Sequence, residues 1–234
     1  KTIEEQLEEF FAIKSAALCS SWTACWEIVL SYHDIGPGDE VIMPSMTFVS
    51  CANAVARRGA KVIFCDISPD ELVVTAETIS PHISEKTKII LIVHLYGLMA
   101  DMKKIEKNFP DIAIYEDAAH CFEGRRDGIQ PGNSSNGAMF SFYATKNISC
   151  GEGGALISKQ KNLIEYAKSQ RLHGMSKTAI DRYTSKTYSH WDVESPGYKF
   201  NLPDVLAALL PEQISNCLSV RKDRVRLYED YLDS

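Results

Sequence analysis

Apolar positions along this chain fall into two rhythms. Short, nearly continuous apolar runs occupy 40–44 (EVIMP), 61–66 (KVIFCD), 87–95 (TKIILIVHL), 111–117 (DIAIYED), 138–143 (AMFSFY) and 154–158 (GALIS). Runs of this length and composition predict strands buried on both faces. Amphipathic stretches predict helices at 2–11, 23–32, 47–58, 75–84, 101–109, 160–170 and 203–232. The alternation predicts an α/β fold: a mainly parallel, doubly wound sheet with helices on both faces. Ligands of such sheets bind at the carboxyl ends of the strands. Pro211 falls inside the last predicted helix and predicts a kink there, because proline removes one backbone hydrogen bond. Segment 174–199 is polar and aromatic with weak periodicity. It reads as a long ordered loop of the kind that carries function.

Composition narrows the picture. The 234 residues suffice for one large domain or two small ones, and 45% hydrophobic with 24% charged residues is ordinary for a soluble globular protein. A net charge of −6 argues against a broad nucleic-acid surface but leaves room for a local anion site. The longest apolar run, IILIVHLYGLMA, is too short and interrupted to cross a membrane. The opening KTIEEQLEEFF is acidic and helical rather than a signal peptide. It lacks an initiator Met, so the chain is expected to begin inside a longer protein. Seven cysteines, an odd number without a CxxC pair, argue against a disulfide framework or zinc ribbon. Reduced thiols and a cytoplasmic location are expected instead. The six histidines are scattered, so no metal site is expected. Gly36 and Gly38 read as a turn, since no GxGxxG follows a strand there.

The candidate chemistry lies in three places. Lys146 sits in FSFYATKNISCGEGG, between a strand and a turn holding Gly151, Gly153 and Gly154, where backbone can approach a ligand closely. Asp117 ends the apolar run IAIYED, at a strand's carboxyl end. Ser20, Ser21 and Thr23 precede or open a helix in SSWTACWEIVL, and a helix N-terminus offers free N–H groups to a phosphate. Ser141, five residues before Lys146, could add a hydroxyl. An amine, a carboxylate and a phosphate cradle together fit pyridoxal phosphate, which needs a Schiff-base lysine and an acid beside its ring nitrogen. Each residue also has a plainer reading. A lone lysine is usually a solvated charge; Asp117 could cap a loop; Phe48 could be core; His120 could be a hydrogen-bonded core residue. Thr23 and Ser141 could be ordinary cap and strand residues. Glu152 reads as part of the turn, and Arg171 and His173 as either substrate contacts or loop anchors.

The segments GDEVIMPSMTFVSCANAV, EDAAH, FSFYATKN...GEGG and HGM...PGYKFNLPD resemble, in order, the DegT/DnrJ/EryC1/StrS family of sugar aminotransferases. The resemblance runs from about Ala16 to the end and is nearest the ArnB-like branch that makes 4-amino sugars. It implies the large domain of a fold-type I PLP-dependent transferase over 1–214, with 215–234 starting a helix toward a C-terminal small domain absent from the chain. Lys146 would form the covalent link to pyridoxal 5'-phosphate, and Asp117 would pair with the ring nitrogen. Phe48 would stack on the ring and His120 approach its phenolic oxygen. Thr23, the amides around Trp22 and Ser141 would hold the phosphate. Asn201 would reach the phosphate of the neighbouring subunit of a homodimer with shared active sites. Many family members have Gly where this chain has Trp22, and a bulky residue restricts the turn. The implied partners are L-glutamate and a keto nucleotide sugar, for cell-surface polysaccharide or lipopolysaccharide biosynthesis. Two alternatives remain: a PLP-dependent sugar dehydratase, in which histidine replaces the lysine, and a non-catalytic or truncated PLP-binding relative.

Overall fold

The computed structural model describes residues 1–175 and 192–233. Seven strands form one sheet: β1 (Ser15–Cys19), β2 (Glu40–Pro44), β3 (Lys61–Cys65), β4 (Thr87–Val93), β5 (Ala113–Asp117), β6 (Gly137–Ser141) and β7 (Gly154–Ser158). Their order across the sheet is β1-β7-β6-β5-β4-β2-β3. The pairs from β3 to β6 are parallel, and β7 runs antiparallel to both β6 and β1. The helices are α1 (Ile3–Phe10), α2 (Trp22–Tyr32), α3 (Val49–Arg57), α4 (Ala76–Ile79), α5 (Met102–Asn108), α6 (Lys161–Gln170), α7 (Asp204–Ala207) and α8 (Pro211–Leu232).

Burial on both faces explains the near-continuous apolar strands other than β3; that strand, expected to be buried on both faces, lies at the sheet edge and leaves Phe64 50% exposed. Along β4, Ile89, Leu91 and Val93 join one core with α2, α3 and α6, while Ile90 and Ile92 join a second core with α1, α5 and α8. Successive side chains of a strand point to opposite faces, so a sheet covered twice needs apolar residues at every position.

Three more features differ from expectation. Strand β1 has no counterpart in the apolar pattern: its SAALC sequence is small and unbranched, and its strand state is set by pairing with β7 from Ser15↔Ser158 to Cys19↔Gly154. The helix predicted over 75–84 is one turn of α-helix, α4, followed by a 3-10 turn over 80–82. The helix predicted over 203–232 is two helices, and Pro211 produces no kink. It occupies the first turn of α8, where its missing N–H would have had no intrahelical acceptor in any case. Of the loop at 174–199, residues 176–191 lie outside the described residues; Glu194 N donates to Gly174 O at 2.9 Å and Met175 bridges Val193.

Among the described residues no group of His, Cys, Asp or Glu could hold a metal ion, and no helix is long and apolar enough to cross a membrane. All seven cysteines are buried free thiols.

Candidate active site

A cavity of about 350 Å³ opens at the carboxyl ends of β4, β5 and β6, against the N-terminus of α2. Trp22, Thr23, Phe48, Asp117, His120, Ser141 and Lys146 all line it, together with Ser21, Ser50, Tyr143, Thr145 and Glu152. Of the residues singled out in the sequence for the cofactor, Ser20 and Asn201 stand outside. Ser20 donates its N–H to Phe200 O at 2.6 Å, and Asn201 Oδ1 accepts a hydrogen bond from Lys199 Nζ at 2.6 Å.

Lys146 is presented by a closed turn. Its N–H donates to Tyr143 O at 2.9 Å, Ala144 N donates to Gly151 O at 3.0 Å, and Cys150 N returns to Phe142 O at 3.0 Å. Gly151 has φ +86°, a left-handed conformation that favours glycine. Two side chains hold the turn from outside. Asn147 Nδ2 donates to Glu123 Oε2 at 3.1 Å, and Gln213 on α8 clasps Ser149, accepting from its N–H at 2.9 Å and donating to its carbonyl at 2.7 Å. Glu123 is buried and faces Arg224 of α8 at 3.5 Å. Burial lowers the Lys146 ammonium below its ordinary value, with Asp117 opposing the shift. The amine is therefore easier to deprotonate than a surface lysine.

Asp117 ends β5, nearly inaccessible to water. Its Oδ1 accepts from Ala119 N at 3.0 Å and its Oδ2 from Cys51 Sγ at 3.5 Å. Burial raises its carboxyl above the ordinary range, and the Ala119 amide and Cys51 thiol work against that rise. His120 stacks on Tyr96 with ring planes 13° apart, and its Nδ1 accepts from Tyr96 N at 3.3 Å. In the neutral ring the proton then sits on Nε2. Burial lowers the His120 pKa, as does the Lys146 charge, so the neutral form prevails near pH 7.

The anion cradle is built by close backbone approach. Ser21 caps α2, its Oγ accepting from Ala24 N at 3.0 Å. The Trp22 and Thr23 amides open the helix and have no carbonyl one turn earlier to receive them. A Cβ on Gly154 would stand 2.4 Å from Ser21 C and 2.6 Å from Trp22 N. Only glycine lets β7 lie this close to the α2 cap. That contact brings the cap beside Ser141, which pairs with Gly154 in the sheet. Trp22 does not spoil the turn: its indole is buried near Trp26, ring centroids 6.3 Å apart, and Nε1 has no hydrogen-bond partner. The amine, the buried carboxylate and the free amides fit the amine-reactive centre, ring nitrogen and phosphate of pyridoxal phosphate.

Phe48 is not core. It is 73% exposed at the N-cap of α3, at the rim of the cavity. Arg171 is committed elsewhere, donating to Glu4 Oε1 and Leu18 O at 2.6 Å each. His173 lies outside the cavity lining, with its N–H on Tyr198 O at 2.8 Å. Glu152, read as part of the turn, lines the cavity. Sequence reasoning missed Cys51 and Thr47 entirely; the available signal was Cys51's place one helical turn after Phe48.

All 234 residues match the DegT/DnrJ/EryC1/StrS aminotransferase family. Over 230 residues the chain is 35% identical to the spore coat polysaccharide biosynthesis protein SpsC of Bacillus subtilis, covering 97% of this chain and 59% of SpsC. Among solved structures, the putative sugar aminotransferase Spr1654 from Streptococcus pneumoniae in its PMP form superposes with a TM-score of 0.85 at 28% identity, over 97% of this chain and 63% of that one. DesV of S. venezuelae superposes with a TM-score of 0.86 at 30% identity, over 98% and 60%. The architecture is that of the fold-type I transferases, and the chain spans about three-fifths of the length of these relatives.

Proposed function

The chain belongs to the DegT/DnrJ/EryC1/StrS aminotransferase family, and from that premise we propose that it binds pyridoxal phosphate and moves the amino group of L-glutamate to a keto group of a nucleotide-linked sugar for cell-surface polysaccharide synthesis. The observation that carries the reading is one cavity lined by Lys146, Asp117 and the α2 N-terminus together. Bound there, the cofactor supplies an electron sink for the carbon that loses its proton. Lys146, through its neutral amine, would be the residue that holds the cofactor covalently and, when freed, the base and acid that moves a proton at the substrate carbon. Asp117 would pair, ionised, with the ring nitrogen and favour its protonated form. The Trp22 and Thr23 amides, the Thr23 hydroxyl and Ser141 hold the phosphate. Phe48 would cover one face of the ring, and His120 would offer its Nε2–H to the phenolic oxygen.

The enzyme is a homodimer in this reading, and Asn201 serves the partner's phosphate. Its place outside the lining of its own cavity supports that role, and seven reduced thiols support a cytoplasmic site of action. The retained Lys146 weighs against the dehydratase alternative. Full-length protein is reconstituted with pyridoxal phosphate and given glutamate; the visible absorption band should bleach. A panel of keto nucleotide sugars should then yield an amino sugar detected by mass spectrometry. No bleaching with glutamate would reject the aminotransferase reading in favour of a non-catalytic binder.

A further inference from the structure

Behind Asp117 lies a short hydrogen-bonded chain. Cys51, in the first turn of α3, places Sγ 3.5 Å from Asp117 Oδ2, and Thr47 Oγ1 stands 3.1 Å from the same sulfur. Cys51 is wholly buried, and its carbonyl is held by Trp26 Nε1 at 3.0 Å. The direction of the chain follows from donor chemistry. An ionised carboxylate only accepts, so the thiol proton points to Asp117 and the Thr47 hydroxyl donates to sulfur. Burial pushes the Cys51 thiol up, and the neighbouring Asp117 charge adds to that, so it remains S–H across the working pH range.

We propose that Cys51 is a positioning residue for Asp117: its S–H, oriented by Thr47, supplies the donor at Oδ2 and fixes the plane in which the carboxylate meets the cofactor's ring nitrogen. The role of that plane rests on the pyridoxal phosphate reading above. With Oδ1 on the Ala119 amide and Oδ2 on Cys51, the carboxylate is pinned from a strand end and from a helix turn. It cannot rotate without breaking a contact at one oxygen. A buried apolar side chain of similar size would fill the same space in the surrounding core. It would leave one oxygen of a buried charge without its donor.

The test uses full-length protein with C51V and C51A, which remove the donor, and C51S, which restores one. The Asp117 carboxyl is followed by carbon-13 NMR against pH in ligand-free protein, and cofactor binding and the visible band against pH in reconstituted protein. Loss of one hydrogen bond should raise the Asp117 midpoint in C51V and C51A by about half a unit to one unit. C51S should return it to the wild-type value or below. Pyridoxal phosphate affinity should fall several-fold in C51V and C51A, and the pH midpoint of the band should move with the carboxyl. An unchanged Asp117 midpoint in whichever of C51V and C51A folds overturns the proposal. So does failure of a folded C51S to recover it. If the midpoint moves but wild type binds no pyridoxal phosphate, Cys51 still positions Asp117 and the cofactor reading is what fails.

Discussion

At the scale of single residues, burial pushes both charges of the site toward their neutral forms, lowering the pKa of Lys146 and raising that of Asp117. Lys146 is eased toward its neutral form, as a nucleophilic amine requires. K146A should bind pyridoxal phosphate noncovalently, give no covalently trapped cofactor after borohydride reduction, and lose transamination. Wild-type trapping on K146A would assign the chemistry to another lysine. Asp117 costs the ligand-free fold stability. Burial raises its folded pKa above the ordinary 3.8, so the folded chain binds a proton that the unfolded chain releases in that interval. Its contribution is therefore undiminished below 3.8 and is lost as pH rises through the folded value. D117N removes that loss. Ligand-free D117N should melt about 2–4 °C above wild type at pH 7, corresponding to ~1 kcal/mol, and the difference should vanish as pH falls below 4. The same variant should slow the glutamate half-reaction on the order of a hundredfold or more, because the ring nitrogen loses its charged partner. A D117N protein less stable than wild type at pH 7, or nearly as fast, would show that the carboxylate is structural.

Between elements, the reactive turn depends on a helix far along the chain. Gln213 of α8 supplies both hydrogen bonds to the backbone of Ser149, three residues after Lys146, and Glu123 ties Asn147 toward Arg224 on the same helix. Q213A leaves a partly buried N–H and carbonyl without partners, a cost of about 1 kcal/mol. We expect faster hydrogen exchange across 144–151 and slower reaction with glutamate, with exchange in β4 and β5 unchanged. Uniform acceleration across the sheet would mean a global loss of stability instead. This clasp was not legible in the sequence, because Gln213 has no motif and its partner lies sixty-four positions away. The elements that were legible share a reason: five of the six predicted strands are apolar at nearly every position because both sheet faces are covered, while β3 at the sheet edge stays partly exposed. Strand β1 was invisible because register with β7, rather than side-chain type, makes it a strand. Lys146, Asp117 and the α2 N-terminus were readable as strand ends and a helix start, the places where an α/β sheet binds ligands. Cys51 was not, since its importance comes from distance to Asp117 alone.

At the scale of the whole molecule, Asn201 is the proposed site residue that the cavity lining excludes. Asn201 follows Phe200, whose carbonyl accepts from Ser20 N at 2.6 Å, so its backbone is anchored next to the α2 cap. Its side chain nonetheless pairs with Lys199, which is exposed, rather than with any group lining the cavity. In a two-fold dimer a residue that faces out of its own site can complete its partner's. The proposed trans role can be separated from a cis one with two damaged full-length chains, K146A and N201D. The introduced carboxylate should repel the phosphate; its pairing with exposed Lys199 offsets little of that. Each variant alone should be nearly inactive. Mixed one to one and allowed to exchange, half the dimers are hybrids. In a hybrid, the site holding Lys146 receives Asn201 from the K146A chain, so one site of two is intact. About a quarter of wild-type activity should return, rising with the hybrid fraction measured by native mass spectrometry. If Asn201 acts within its own chain, the Lys146-bearing site keeps its own N201D defect and nothing returns. Verified exchange without recovered activity would remove Asn201 from the partner's site.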